Sequence, residues 1–136
     1  DATFKLYISP TPVVGPDRKA KNDNHSNSTY SYEGGRLRKL LSSVPGALVI
    51  NGDRHWQYHS VDQDSGLNEF GCGPASDAHA GGWNPKNKLP EHRFLRVAGG
   101  FLSVQVTPES MTIRHHDVSG QVTNEQQIPA TTAHDD

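Results

Sequence analysis

Ala47-Leu48-Val49-Ile50-Asn51-Gly52-Asp53-Arg54-His55-Trp56-Gln57-Tyr58-His59 is the stretch that decides the fold. Ala47 to Ile50 is an unbroken apolar run, which predicts a short strand covered on both faces. Gly52 follows and is expected to let the backbone turn sharply. Asp53 and His55 are then left at the carboxyl edge of a sheet, where open α/β folds place their ligands. A carboxylate and an imidazole are both ligands for first-row metals. The alternative is that Asp53 caps a turn and His55 is merely exposed. His59 lies four residues past His55, about 13 Å away along a strand at ~3.3 Å per residue. It is therefore expected to belong to the sheet or to support a ligand from behind.

Upstream, Phe4 to Ile8 alternates apolar and polar side chains and predicts a strand, which the prolines of Ser9-Pro10-Thr11-Pro12 end. Val13 to Thr29 has no periodicity. It is a long loop holding Asp17, Arg18, Asp23 and His25, and a loop of that length in a compact domain calls for a function or is disordered. Its Asn/Asp cluster around His25 also reads as a set of Asx-turns. Glu33 to Ser43 predicts a helix, with Leu37, Leu40, Leu41 and Val44 on one face, Ser31 as N-cap and Pro45-Gly46 as the stop. Strand, loop, helix and strand give a β-α-β start with parallel strands.

Downstream, Trp56–Val61 and Leu67–Cys72 predict a hairpin across Asp62-Gln63-Asp64-Ser65-Gly66. A second long loop, Gly73 to Pro90, carries Asp77, His79 and Trp83. Four more strands are predicted at Arg93–Ala98, Phe101–Val106, Met111–Asp117 and Gln121–Ile128. Gly99-Gly100 and Thr107-Pro108-Glu109-Ser110 read as their turns, so the end of the chain is an antiparallel meander. Leu95 and Val97, then Leu102, Val104 and Val106, then Met111 and Ile113 are its expected buried face. His115 and His116 point to opposite faces and cannot chelate one ion together, so structural roles are expected for both. Cys72, between two glycines, reads as a small buried thiol. The fold class is thus α/β and β-rich. One domain is expected over 1–129, with 130–136 as a disordered tail.

Composition narrows the function. The chain has 136 residues, a formal net charge of -2 and a single cysteine. No basic block suggests nucleic acid as a partner, no apolar run is long enough for a membrane span, and no intrachain disulfide can form. Mean hydropathy is -0.72. The apolar fraction is 32%, and its 13 glycines raise it only to about 40%, below the ~45–50% of ordinary globular chains. The first residue is Asp1 rather than Met. Together these predict an excised piece, part of whose apolar surface packs against protein outside it. No Walker loop, Gly-X-Ser-X-Gly elbow or dinucleotide fingerprint occurs.

Four stretches carry a resemblance: Ile8-Ser9-Pro10-Thr11-Pro12-Val13-Val14-Gly15-Pro16-Asp17, Asp23-Asn24-His25, Gly52-Asp53-Arg54-His55-Trp56-Gln57-Tyr58-His59-Ser60, and Glu69-Phe70-Gly71-Cys72-Gly73-Pro74-Ala75-Ser76-Asp77. They resemble the C-terminal part of alkaline phosphatase D-like (PhoD-like) proteins, which are calcineurin-type metallophosphoesterases. The resemblance implies the C-terminal half of that family's β-sandwich. It implies metal ligands at Asp53 and His55, and oxyanion contact from Arg54 or from the Asp17-Arg18 loop. Loops with Asp23, His25, Asp77 and His79 would border the substrate. The implied chemistry is hydrolysis of phosphate mono- or diesters by two cations (Fe, Ca, Mn or Zn) about 3.5–4 Å apart.

The family's earlier ligand motifs have no counterpart here. The missing N-terminal half of the domain is therefore the expected partner, and the isolated chain should be weak or inactive. Self-association through an exposed sheet is a further expectation. Relatives of this family are often exported, and any targeting segment would lie upstream of Asp1. The rival reading is a non-catalytic β-rich binding domain, with Trp56, Tyr58, Trp83 and Phe101 as an apolar contact surface. A third is a degenerate site that uses one metal to lock the two long loops.

Overall fold

A computed structural model describes residues 2–10, 12–15, 32–52, 54–82 and 90–130. Asp17, Arg18, Asp23, His25, Asp53, Trp83 and most of the predicted tail lie outside the described residues. Among the described residues the elements are β1 (Lys5–Ser9), α1 (Tyr32–Ser42), β2 (Ala47–Asn51), β3 (Gln57–Val61), β4 (Asn68–Cys72), a 3-10 turn (Asp77–His79), β5 (His92–Arg96), β6 (Phe101–Val106), β7 (Ser110–His116) and β8 (Val122–Pro129). They form two sheets, ordered β1-β2-β4-β3-β5 and β6-β7-β8. No helix among the described residues is long and apolar enough to cross a membrane.

The β-α-β start forms as the sequence predicts. β1 runs parallel to β2, with Lys5 opposite Ala47 and Ser9 opposite Asn51. β2 in turn runs parallel to β4. β2 lies between β1 and β4, both its faces are covered, and Leu48, Val49 and Ile50 are all buried. One face joins Leu48, Ile50 and Phe70 to Met111 and Ile113 of the second sheet. The other packs Val49 with Val13, Val14 and Leu67, and with Leu37 and Leu41 of α1. A continuous apolar run is the sequence form of this double burial. Leu40, expected on the same helix face, is instead mostly exposed.

The β3–β4 hairpin is also as predicted. Its loop is held by Asp62, whose Oδ2 accepts from Ser65 N (3.1 Å) and Ser65 Oγ (2.6 Å). In the second sheet, β7 alternates buried Met111, Ile113 and His115 with partly exposed Thr112, Arg114 and His116. On its outer side Arg114 donates to Glu125 Oε1 of β8 (2.6 Å) and to Gln105 Oε1 of β6 (3.1 Å). Those two bonds fix the register of all three strands from one side chain.

Gly99-Gly100 is not a hairpin turn. β5 belongs to the first sheet and β6 to the second, so the two glycines carry the chain from one layer to the other. Gly99 N donates to Asp77 Oδ1 (2.8 Å) and Gly100 N to the Pro74 carbonyl (2.9 Å). A Cβ at Gly100 would collide with the His116 carbonyl. Close approach of backbones, rather than a hairpin, is what requires glycine here. The expected buried face of β5 and β6 is corrected too: Val97, Val104 and Val106 are exposed.

Candidate functional site

Because β1, β2 and β4 are parallel, their carboxyl ends share one edge of the first sheet. Beyond β2 the chain folds back at once, with Arg54 N donating to the Gly52 carbonyl (2.8 Å). Gly52 does not adopt a left-handed angle, and a Cβ there would meet open space. The turn therefore does not need its glycine, contrary to expectation. Arg54 is buried, His55 is exposed and Trp56 is buried again. The alternation turns one imidazole outward between two anchoring side chains.

The second predicted loop reaches the same edge. Gly81 N donates to the His55 carbonyl (3.0 Å), which sets residues 80–82 beside His55. Asp77 and His79 stand exposed on the 3-10 turn that precedes them. Ser76 caps that turn by accepting from Ala78 N (3.2 Å). One Asp77 carboxylate oxygen is already engaged by Gly99 N, so this residue has a structural duty as well.

Under the edge lies a buried polar layer that the sequence did not announce. Glu69 of β4 is fully buried. Its Oε2 accepts from Val13 N (2.5 Å) and Val14 N (2.9 Å), and its Oε1 from Gly15 N (2.9 Å). Tyr58 Oη donates to the same Oε1 (2.8 Å) and is also bonded to the Asn51 side chain. Ser60 Oγ donates to the Gly15 carbonyl (3.0 Å) and meets His92 Nδ1 at 2.9 Å. One carboxylate thus fixes the start of the loop that leaves β1. Burial pushes the Glu69 carboxyl up from its usual range, while the three backbone N–H groups and the tyrosine pull it back down. Burial, then the nearby Glu69 carboxylate, hold the Tyr58 hydroxyl well above its ordinary value. The available signal was a lone Glu in a short strand that continues into Phe70, Gly71 and Cys72. Such a residue is rarely buried without dedicated partners.

This layer is tightly packed. A Cβ at Gly71 would run into the Tyr58 ring. Gly71→Ala is therefore expected to displace Tyr58 and lower stability by about 1–3 kcal/mol, as overpacking does. Urea unfolding measures it, and an unchanged midpoint would show that the ring moves freely.

Two further expectations are settled by burial. Trp56 and Tyr58 are inside the protein, so they are not part of an apolar contact surface. Phe101 is exposed and stacks on the His116 ring at a centroid distance of 4.5 Å. Cys72 is partly buried, and burial raises its thiol pKa, which keeps it a poor nucleophile at neutral pH. Among the described residues no three His, Cys, Asp or Glu side chains gather closely enough to hold a metal ion. By themselves the described residues do not fit a metal centre.

No family model matches the sequence, and no curated protein does. Solved structures do match. The architecture is that of a PhoD-like fold, a two-sheet β-rich sandwich. The structure described as "Structure of PhoD" is similar over 98% of this chain and 33% of that one, with a TM-score of 0.57 and 12% identity. That described as "GAP50 the anchor in the inner membrane complex of Plasmodium" is similar over 96% of this chain and 38% of that one, with a TM-score of 0.66 and 14% identity. The chain spans about a third of the length of each, and at such identities the likeness is one of fold.

Proposed function

We propose that this chain supplies the late-ligand edge of a metal-dependent phosphoesterase that hydrolyses phosphate mono- or diesters. Asp53 and His55 are the metal ligands in this reading, and either Arg54 or the Asp17-Arg18 loop, through its arginine, meets the substrate oxyanion. Asp23, His25, Asp77 and His79 border the substrate. The observation that carries the reading is the exposed imidazole of His55 between buried Arg54 and Trp56, just past the carboxyl end of β2 and beside the 80–82 segment. The likeness to PhoD supports it at the level of fold. The remaining ligands come from the preceding half of the domain, outside this chain. Two-metal chemistry needs many more ligands than one Asp and one His, so the isolated chain binds metal weakly and turns over little.

Calorimetric titration of the purified chain with Mn²⁺ and with Zn²⁺ tests this. Weak binding is expected, reduced at least about tenfold in Asp53→Ala and in His55→Ala, as loss of one ligand would do. Affinity unchanged in both variants would sink the assignment.

A non-catalytic reading has its own support. The TM-score to the structure titled an anchor, 0.66, exceeds the 0.57 to PhoD. Under this reading the sheet edge is kept for binding or scaffolding, and Asp53→Ala with His55→Ala changes neither metal affinity nor stability.

A further inference from the structure

The buried polar layer beneath the sheet edge joins two chain segments, the one that follows β1 and the one that follows β2. On the β1 side Gly15 is gripped at both its N–H and its carbonyl. The N–H donates to Glu69 Oε1 (2.9 Å), and the carbonyl accepts from Ser60 Oγ (3.0 Å). His92 Nδ1 meets the same hydroxyl at 2.9 Å. The one proton of Ser60 points at Gly15, so His92 is the donor in that contact. Gly15 also takes a φ of 123°, which a side chain would resist. Val13 and Val14 are held by the other oxygen of Glu69.

Tyr58 carries the hold across to β2. Its hydroxyl lies 2.8 Å from Asn51 Nδ2, 3.0 Å from Asn51 Oδ1 and 2.8 Å from Glu69 Oε1. A hydroxyl has one proton, and the carboxylate is the stronger acceptor. The bonds therefore run one way, from the Asn51 amide to the Tyr58 oxygen and from the Tyr58 hydroxyl to Glu69. Asn51 is the last residue of β2. The Gly52 carbonyl directly after it accepts from Arg54 N, and His55 is next in the chain.

Asn51 and Tyr58 both stand opposite Gly71 in register. The missing side chain of Gly71 leaves the room that the Tyr58 ring fills. Packing thus fixes the ring, and polar atoms on two strands fix its hydroxyl. Asn51 is 2% exposed, and Tyr58, Ser60 and Glu69 are fully buried. Apolar side chains of similar volume stabilise a core as well as buried charged groups do, or better. What a fully satisfied polar layer adds is a single arrangement of the segments it joins.

We infer that Tyr58 is a positioning residue for the site proposed above: through Asn51 and Glu69 it locks the segment that leads from β2 to His55 onto the segment that follows β1. The inference rests on that reading of the site. Tyr58 touches neither metal nor substrate in it. Its hydroxyl keeps the two segments in one relation, so that the His55 imidazole is presented in one place. Without the hydroxyl the segments move separately, and a ligand that must first be ordered binds more weakly.

Tyr58→Phe removes the hydroxyl and keeps the ring over Gly71. In the metal-free chain, hydrogen exchange at the Arg54 amide should accelerate together with exchange at Val13, Val14 and Gly15. In calorimetric titration with Mn²⁺, affinity should fall about tenfold, the lower end of what loss of a group that orients a metal ligand costs. Ile113→Val trims the core of the second sheet and lowers stability without touching the layer. It should leave Mn²⁺ affinity unchanged, which separates positioning from mere loss of stability. Asn51→Ala cuts the link from its other end and serves in both measurements if Tyr58→Phe does not keep its circular-dichroism spectrum. Exchange at Arg54 as slow as in the unaltered chain would overturn the inference and leave the site reading standing. So would an affinity lost in His55→Ala but kept in Tyr58→Phe, or one lost equally in Ile113→Val. If His55→Ala binds Mn²⁺ as the unaltered chain does, the site reading fails and the inference falls with it.

Discussion

Glu69→Ala is expected to lower the melting temperature of this protein by about 10–15 °C. The substitution removes the acceptor of three backbone N–H groups and of the Tyr58 hydroxyl in a place that water does not reach. Leaving buried donors without partners costs about 1–3 kcal/mol each, partly recovered as the site relaxes or admits water. A net loss of about 3–5 kcal/mol is therefore expected, and in a domain of this size each kcal/mol shifts the midpoint by about 3 °C. Glu69→Gln keeps the shape but turns an N–H donor toward other donors, so it should cost roughly half as much. The damage should also be local. Hydrogen exchange at Val13, Val14 and Gly15 should accelerate in both variants, because Glu69 fixes these amides. A fall of less than about 3 °C in Glu69→Ala would show that something else holds the loop to β4.

The second large effect is acid lability from His115. This side chain is fully buried between the sheets, with Nε2 donating to the Gly71 carbonyl (3.0 Å) and Nδ1 accepting from the Asn124 amide (3.3 Å). Its ring lies near Phe70 and Phe94. Burial lowers its pKa from 6.5 to about 4, and the neighbouring His59 and His116 push in the same direction. His59 is also lowered, chiefly by its own burial. The unfolded chain therefore binds a proton before the folded one does. Stability is complete above pH 6.5, falls as the pH drops from about 6.5 to about 4, and stops falling once both states are protonated. Between pH 7.5 and 4.5 the loss from His115 alone is about 2–3 kcal/mol. His115→Gln should cost stability at neutral pH yet flatten the decline. Urea unfolding of both proteins at the two pH values isolates the effect, and an equal decline in both would mean that His115 is not its source.

These two residues also mark how far the sequence could be read. The apolar run of β2, the period-two alternation of β7 and the Asp62 to Gly66 turn each have one structural solution, and each formed as predicted. The same alternation turns His115 inward beside Met111 and Ile113, in the structural role expected of it. Gly99-Gly100 admits two solutions, a tight turn or a close crossing. Only the partners Pro74 and Asp77, more than twenty residues away in sequence, decide for the crossing. Alternation gave the inward direction of Val104 and Val106 but could not say whether anything covers them. Leu40 failed for a similar reason, since helical periodicity defines a face wider than the surface it packs on. Glu69 was quoted within a motif and given no role, because three of its four partners are backbone amides, which carry no sequence signature. At the candidate site, the Gly81 N bond to the His55 carbonyl brings the second loop to the residues after β2, while Arg54 is buried and Asp77 and His79 stand exposed on the 3-10 turn. Asp53, Asp17, Arg18, Asp23 and His25 lie outside the described residues.

The claim at the centre of this account is that the chain carries part of a metal site. Elemental analysis of the purified protein, with Asp53→Ala beside it and hydrolysis of p-nitrophenyl phosphate measured on the same samples, tests it most directly. At most one weakly held ion per chain is expected, diminished in the variant, with turnover close to background. Two tightly held ions per chain, both lost with Asp53 and accompanied by appreciable turnover, would contradict it and make this chain a complete enzyme.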